Sequence, residues 1–304
     1  MGEHAPGLQI IRMDGAFGAC VEGVDLSTPL NPHQFGCIAR ALQDHHVLAL
    51  PNQTLTPQAF AAFARLWGAP IDFFDLDYCL DGNPNILLID NREDCPAYKR
   101  DNALHWHVDS TYESPPVAVT MLYGVESPTQ GNETLFADMV AAYAALPAAT
   151  KALIDGLIVE HGMGDPRLSL AGEKRGPGGD EPPVQIRPTV RHPLVMRHPQ
   201  SGEKVLYAPS GSPFGIVGMP TDEAIALLRR LKEHAVQPQF VQSASASAGT
   251  VLIWDNYAVM HSATPTRYSN KDGERRVVYG IRTRETVDLA EARANEGAAQ
   301  CTST

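Results

Sequence analysis

The chain has 304 residues, 43% of them hydrophobic and 19% charged, a composition near the globular average and far from that of disordered chains. Twenty-four basic against 35 acidic residues leave a formal charge of −11, which removes the electrostatic basis for a nucleic-acid footprint or an anionic-membrane surface and points to a small-molecule partner, with a homo-oligomer compatible. No apolar run approaches the ~18 residues that cross a bilayer. Residues Met1 to Ile11 show no basic-then-apolar leader, and Cys20, Cys37, Cys79, Cys95 and Cys301 lack any C-x-x-C spacing; a thiolate zinc site and a disulfide framework are disfavoured and a reducing, cytoplasmic setting is expected.

In chain order, His46 to Leu50 reads as a strand, and Thr56 as N-cap, Pro57 in the first turn, Phe60, Phe63 and Trp67 on one face and Gly68 as stop predict a helix. Strand-like runs follow at Asn85 to Ile89, Val117 to Val125 and Glu133 to Phe136, then at Pro193 to Arg197, Val205 to Ala208, Thr250 to Trp254 and Arg276 to Ile281. A second helix is expected from Thr221, where Ala224, Leu227, Leu228, Leu231 and Ala235 share a face. Strands do not alternate regularly with helices, so a sandwich or barrel with helical insertions is preferred over a doubly wound parallel sheet. Residues 1–284 read as one domain, with a lid-like insertion at about 162–188 and a loosely ordered tail over 285–304.

The informative segment is His105-Trp-His-Val-Asp-Ser-Thr-Tyr112. If it is extended, His107 and Asp109 point to one side and can converge on one ion. With a distant third ligand, two His and a carboxylate on one face leave three cis positions, which suits non-haem Fe(II). Spacing alone proves little, since about one H-x-D/E is expected by chance in this composition. A His-x-His pair of His105 and His107, of the zinc or manganese cupin kind, is the competing reading and would make the protein a hydrolase or isomerase.

Trp106-His-Val-Asp-Ser-Thr-Tyr112 resembles the W-H-x-D-x-S/T-F/Y signature of the taurine dioxygenase (TauD/TfdA) family of Fe(II)- and 2-oxoglutarate-dependent oxygenases, and further matches follow in the family's order. Gly131-Asn-Glu-Thr-Leu-Phe-Ala137 resembles G-G-x-T-x-F/W-x, His192-Pro-Leu-Val and Arg197-His-Pro-Gln-Ser-Gly202 resemble its H-P hairpin, Trp254-Asp-Asn256 with His261 resembles W-D-N-x4-H, and Gly15-Ala-Phe-Gly-Ala with Gly23-Val-Asp-Leu26 resembles its opening hairpin. The resemblance spans residues 8 to 284 and implies a distorted double-stranded β-helix (jelly roll), mainly β with helical insertions. It implies His107, Asp109 and His261 as ligands of Fe(II), and O2 with 2-oxoglutarate as cosubstrates. Thr134 and Arg276 are the residues implied for the distal carboxylate of 2-oxoglutarate. The turn from His261 to Arg276 is longer than most members have, so Arg275 and Arg267 stand as alternatives. A catalytically silent binding module is the remaining alternative, against which the intact triad argues.

The implied reaction is oxidative decarboxylation of 2-oxoglutarate coupled to oxidation of an unactivated C–H bond, with hydroxylation, desaturation, epoxidation or ring expansion as outcomes. Halogenation is disfavoured because Asp109 occupies the position a halide needs. Where sulfonate-using members carry a further arginine, this chain has Gly280. Alternation puts Arg276, Val278, Gly280 and Arg282 on one side of a strand. A bulky, mainly apolar substrate is therefore expected, such as a terpenoid or aromatic carboxylic acid of secondary metabolism, its carboxylate met by Arg282.

Overall fold

The computed structural model describes residues 7–73, 76–92, 103–128, 131–163, 187–284 and 302–303. The chain opens with a hairpin of β1 (Gln9–Arg12) and β2 (Ala19–Glu22), then α1 (Pro32–His45), β3 (Val47–Leu50), α2 (Pro57–Arg65), β4 (Ala69–Pro70), β5 (Cys79–Leu80) and β6 (Asn83–Asp90). It continues through β7 (Val119–Glu126), β8 (Glu133–Asp138), α3 (Met139–Ala145), α4 (Ala148–Ile154) and β9 (Ile158–His161). After residue 187 come β10 (Val190–Pro193), β11 (Val195–Arg197), β12 (Lys204–Leu206), β13 (Pro213–Ile216), α5 (Thr221–Ala235), β14 (Val241–Ser245), β15 (Val251–Asp255), β16 (Val259–Ala263) and β17 (Val277–Arg284).

Two sheets face each other as a jelly roll. The larger runs β1-β2-β3-β15-β7-β17-β6-β5, and the smaller is β14-β8-β16. Between them, Leu122, Leu252, Trp254 and Val278 of the large sheet pack on Phe136 and Val259 of the small one. The outer face of the large sheet is covered by α1 and α2 through Ile38, Leu42, Phe60, Phe63 and Trp67. The outer face of the small sheet lies on α3 and α5 through Ala137, Met260, Ala142, Leu228 and Leu231. With both faces covered, β15 is buried at every position, unlike the alternating strands of a one-sided sheet. Trp254, 2% exposed, joins the sheets, and Trp254→Ala would cost about 3–5 kcal/mol.

The expected helix after Thr56 forms with the Thr56 hydroxyl accepting from Ala59 N–H, and the expected strands are present. Pro193 to Arg197 divides into β10 and β11. Helix α1 was not anticipated, although Asn31 and Gln34 form a reciprocal capping box with Pro32 in the first turn. Most of the expected lid, residues 164–186, and of the tail, 285–301 and 304, lies outside the described residues. Cys20 and Cys79 form no disulfide, whereas Cys37 is disulfide-bonded. That corrects the expectation from the cysteine spacing; its partner is not among the described residues. No helix among them is long and apolar enough to cross a membrane.

Candidate active site

His107 and His261 form an isolated antiparallel bridge, His107 N–H donating to His261 O at 2.9 Å and His261 N–H to His107 O at 2.8 Å. Directly opposed residues present their side chains to one face, and the two imidazole centroids are 4.3 Å apart. The segment is not extended beyond that bridge: Asp109 lies in a turn followed by Ser110 at φ 52°. The turn, rather than strand alternation, brings the carboxylate back, with Asp109 Oδ1 3.8 Å from His107 Nε2 and Oδ2 3.6 Å from His261 Nε2. Gly211, at φ +101°, closes over this point; a Cβ there would meet the His107 Cβ at 2.7 Å, so glycine is required.

The donor set is in the protonation state a metal ion needs. Burial lowers the His107 pKa to about 3, helped by His261, and burial lowers that of His261 to about 4. Both imidazoles are neutral at pH 7. Burial pushes the Asp109 carboxyl up, but Arg282, His261, His107 and the Thr120 hydroxyl together hold it at about 2. The His107 Nδ1–H donates to His105 O at 2.7 Å, which leaves the Nε2 lone pair free. Among the described residues, His107, Asp109 and His261 are the group whose ligand atoms all lie within 4.8 Å of one another. His105 is outside that group, although its ring centroid lies 4.9 Å from that of His107.

Strand β17 carries the arginines. Arg276 directly precedes it and is 9% exposed; it has no carboxylate partner among the described residues. Its Nε donates to Asn132 Oδ1 at 2.6 Å, and burial lowers its pKa to about 10. Thr134, 4% exposed on β8, makes no side-chain hydrogen bond among the described residues. Arg275 instead reaches Glu126 through Nε at 2.8 Å and its second nitrogen at 2.6 Å, and Arg267 is exposed. Arg282 meets Asp109 Oδ1 at 2.6 Å and lies over the Phe73 ring at 5.2 Å, with Nε buried and unpartnered. A Cβ on Gly280 would contact Leu122, Leu87 and Ile89 at 3.3–3.7 Å. The space at Gly280 is therefore bounded by three apolar side chains rather than open.

Two imidazoles and one ionised carboxylate, His107 and Asp109 from one loop and His261 from β16, form a site for a borderline divalent ion such as Fe(II), with positions left for other ligands. Residues 9–282 match the family described as Taurine catabolism dioxygenase TauD, TfdA family. The chain belongs to that family. This dioxygenase is 31% identical over 277 residues to the (S)-phenoxypropionate/alpha-ketoglutarate-dioxygenase of Sphingobium herbicidovorans, covering 88% of this chain and 93% of that protein. It is 32% identical over 263 residues to the alpha-ketoglutarate-dependent 2,4-dichlorophenoxyacetate dioxygenase of Cupriavidus pinatubonensis, covering 81% and 88%. The crystal structure of a taurine dioxygenase from Burkholderia xenovorans superposes with a TM-score of 0.72 at 30% identity, over 91% of each chain. The protein is thus a 2-oxoglutarate-dependent non-haem iron dioxygenase using Fe(II), 2-oxoglutarate and O2 on a small-molecule substrate.

Sequence reasoning missed the residues that hold the dioxygenase triad in place. Asn256, fully buried, accepts from Asp109 N–H at 3.1 Å and donates to Asp109 O at 3.1 Å and Val117 O at 3.0 Å. Its carboxamide thereby supplies the ladder partners that Asp109 lacks in a turn. Thr120 donates to Asp109 Oδ2 at 2.9 Å. Asp255 accepts from His198 Nε2–H at 2.8 Å and caps Tyr257 N–H at 2.9 Å, fixing the turn into β16. The Trp-Asp-Asn and His-Pro strings were the available signal, but nothing in the sequence says that they touch each other.

Proposed function

We propose that the enzyme oxidises an unactivated C–H bond of a bulky, mainly apolar carboxylic acid, aromatic or terpenoid, using His107, Asp109 and His261 as iron ligands. In this reading Thr134 and Arg276 hold the distal carboxylate of 2-oxoglutarate, and Arg282 beside Gly280 receives the substrate carboxylate. The observation that carries it is the inward row on β17, where two guanidinium groups, Arg276 and Arg282, flank Val278 and Gly280. Two carboxylate anchors separated by an apolar stretch suit a keto diacid at one end and an apolar acid at the other. The named substrates of the two bacterial relatives, phenoxypropionate and 2,4-dichlorophenoxyacetate, are aromatic acids of this kind.

When bound, Fe(II) with 2-oxoglutarate and O2 supplies an oxidative decarboxylation to succinate and CO2 that is coupled to oxidation of the C–H bond. The chain's own residues orient the partners. Buried Arg276 keeps a positive charge and the Thr134 hydroxyl has no hydrogen-bond partner among the described residues, so a carboxylate held by both would gain a charge-assisted contact and a second donor. Arg282 holds Asp109 Oδ1 at 2.6 Å; were that carboxylate to bind the metal, the guanidinium would become available to an incoming carboxylate. Leu87, Ile89 and Leu122 around Gly280 exclude water from the apolar part of the substrate. Where the substrate is held decides among hydroxylation, desaturation, epoxidation and ring expansion. A cytoplasmic setting belongs to the same reading; the unbridged Cys20 and Cys79 favour it, and the disulfide at Cys37 argues against it.

Anaerobic addition of 2-oxoglutarate to the Fe(II) protein should give a visible metal-to-ligand charge-transfer band that Arg276→Gln weakens at fixed 2-oxoglutarate. A panel of hydrophobic carboxylic acids should contain members that stimulate succinate formation, whereas taurine should leave it at the uncoupled background. Coupled taurine turnover, or an unchanged KM for the best acid in Arg282→Ala, would refute the substrate assignment.

A further inference from the structure

Adjacent arginines at the start of β17 are treated in opposite ways. Arg275 spends the edge made by Nε and one terminal nitrogen on Glu126, at 2.8 and 2.6 Å, and its charge is matched by that carboxylate. Arg276 has the same Nε satisfied by a neutral acceptor, Asn132 Oδ1 at 2.6 Å. The orientation of that amide is set by its other end: Asn132 Nδ2 donates to Ser127 Oγ at 2.6 Å and to Ala246 O at 3.2 Å, so the oxygen is the atom left to face the arginine. Asn132 is 4% exposed and stands where the motif its segment resembles has a second glycine, which could offer no acceptor.

A second buried asparagine fixes the main chain of the same arginine. Asn91, 0% exposed, accepts from Arg276 N–H at 2.7 Å through Oδ1 and donates from Nδ2 to Arg267 O at 2.6 Å and Glu274 O at 3.2 Å. Its own N–H donates to Arg276 O at 3.3 Å, and its carbonyl accepts from Ser269 N–H at 3.1 Å. Every hydrogen-bonding group of Asn91 is thus spent on the long turn that ends in Arg276. That turn is where a slip of one residue would exchange Arg276 with Arg275.

We propose that Asn132 and Asn91 form a neutral seat that positions Arg276 and selects an oxo acid with a distal carboxylate; the inference rests on the assignment of Arg276 to 2-oxoglutarate. Asn91 sets which arginine faces inward. Asn132 occupies the side-on edge of the guanidinium without cancelling its charge, leaving the end-on pair of terminal nitrogens for the carboxylate. Both asparagines act through Arg276 and are positioning residues, not catalytic ones.

The test compares 2-oxoglutarate with 2-oxopentanoate, which has the same five carbons and the same chelating end but no distal carboxylate. Dissociation constants for both are read from the charge-transfer band of the anaerobic Fe(II) protein, beside thermal unfolding. Asn132→Asp sets a carboxylate against Nε and should weaken 2-oxoglutarate by about tenfold or more while leaving 2-oxopentanoate within about twofold. Asn132→Gly, which removes the acceptor, should weaken 2-oxoglutarate by about three- to tenfold. Equal weakening of both oxo acids would mean a merely structural role, and unchanged 2-oxoglutarate affinity in both variants would mean none; either overturns the seat. Arg276→Gln tells the two failures apart: if it too leaves 2-oxoglutarate affinity intact, the assignment of Arg276 itself is wrong. Should neither Asn132 variant fold, nitrogen-15 NMR of the wild-type protein decides, because the Arg276 Nε–H must resist solvent exchange and rapid exchange refutes the contact.

Discussion

Asn256→Ala removes the partner of one buried donor, Asp109 N–H, and of two buried acceptors, Asp109 O and Val117 O, at 3.0–3.1 Å. A hydrogen bond contributes about 1 kcal/mol net, and a buried group left unpaired costs about 1–3 kcal/mol. Three such groups put the loss at about 3 kcal/mol or more, which at ~2 °C per kcal/mol for a long chain is a fall in Tm of about 6 °C. The second consequence is local. Asp109 lies in a turn, and without the carboxamide its backbone is free to shift, so Fe(II) affinity should fall about 10–100-fold, as for other groups that orient metal ligands. Asn256→Asp separates the two effects, since it keeps an acceptor for Asp109 N–H and loses both donors. The assay is anaerobic Fe(II) titration of each variant beside its thermal unfolding. A fall in Tm with wild-type Fe(II) affinity would restrict Asn256 to folding, and no change in either would refute the reasoning.

Replacing His107, Asp109 or His261 by Ala should abolish Fe(II)-dependent succinate formation, while His105→Ala, outside the triad, should be milder; total loss in His105→Ala alone would shift the site to the His-x-His pair. The metal-free protein should lose stability on acidification. Burial lowers the pKa of His161, helped by His192, and burial lowers that of His192, in line with His107 at about 3 and His261 at about 4. Folded values below the unfolded ~6.5 mean that the unfolded chain binds more protons below that pH, so stability is full above pH ~7 and declines through 6 and 5. A Tm independent of pH over that range would refute this, and His161→Gln should shallow the decline. Gly280→Leu should cost about 1–3 kcal/mol by overpacking against Leu122, Leu87 and Ile89 and raise the KM for a bulky acid more than that for 2-oxoglutarate. Equal KM changes for the two would place Gly280 away from the substrate.

Strands rich in apolar and β-branched residues were legible as short runs bounded by turn residues; β7, β15 and β17 stand where expected. Strands β14 and β16 were not. Val241-Gln-Ser-Ala-Ser and Val259-Met-His-Ser-Ala carry small and polar residues, and what makes them strands is pairing on either side of β8, Ala244 and Ala263 both opposite Thr134. Strand β16 delivers His261, so the third ligand rests on an element that local propensity does not announce.

Residue identity alone determined the chemistry on offer: a His-x-Asp within a family-like string, a distant His after Trp-Asp-Asn, and a cluster of arginines before an apolar strand. Tertiary structure decided which atoms meet. The His107–Asp109 convergence comes from a turn braced by Asn256, a contact across 147 residues of chain. Neighbouring residues of a strand face opposite sides, so Arg275 and Arg276 differ by a single step of register. The pairing of β17 and the bonds of Asn91 place one on Glu126 and the other inside. Local sequence carries the period of a strand but not its phase, because the phase is set by partners distant in the chain.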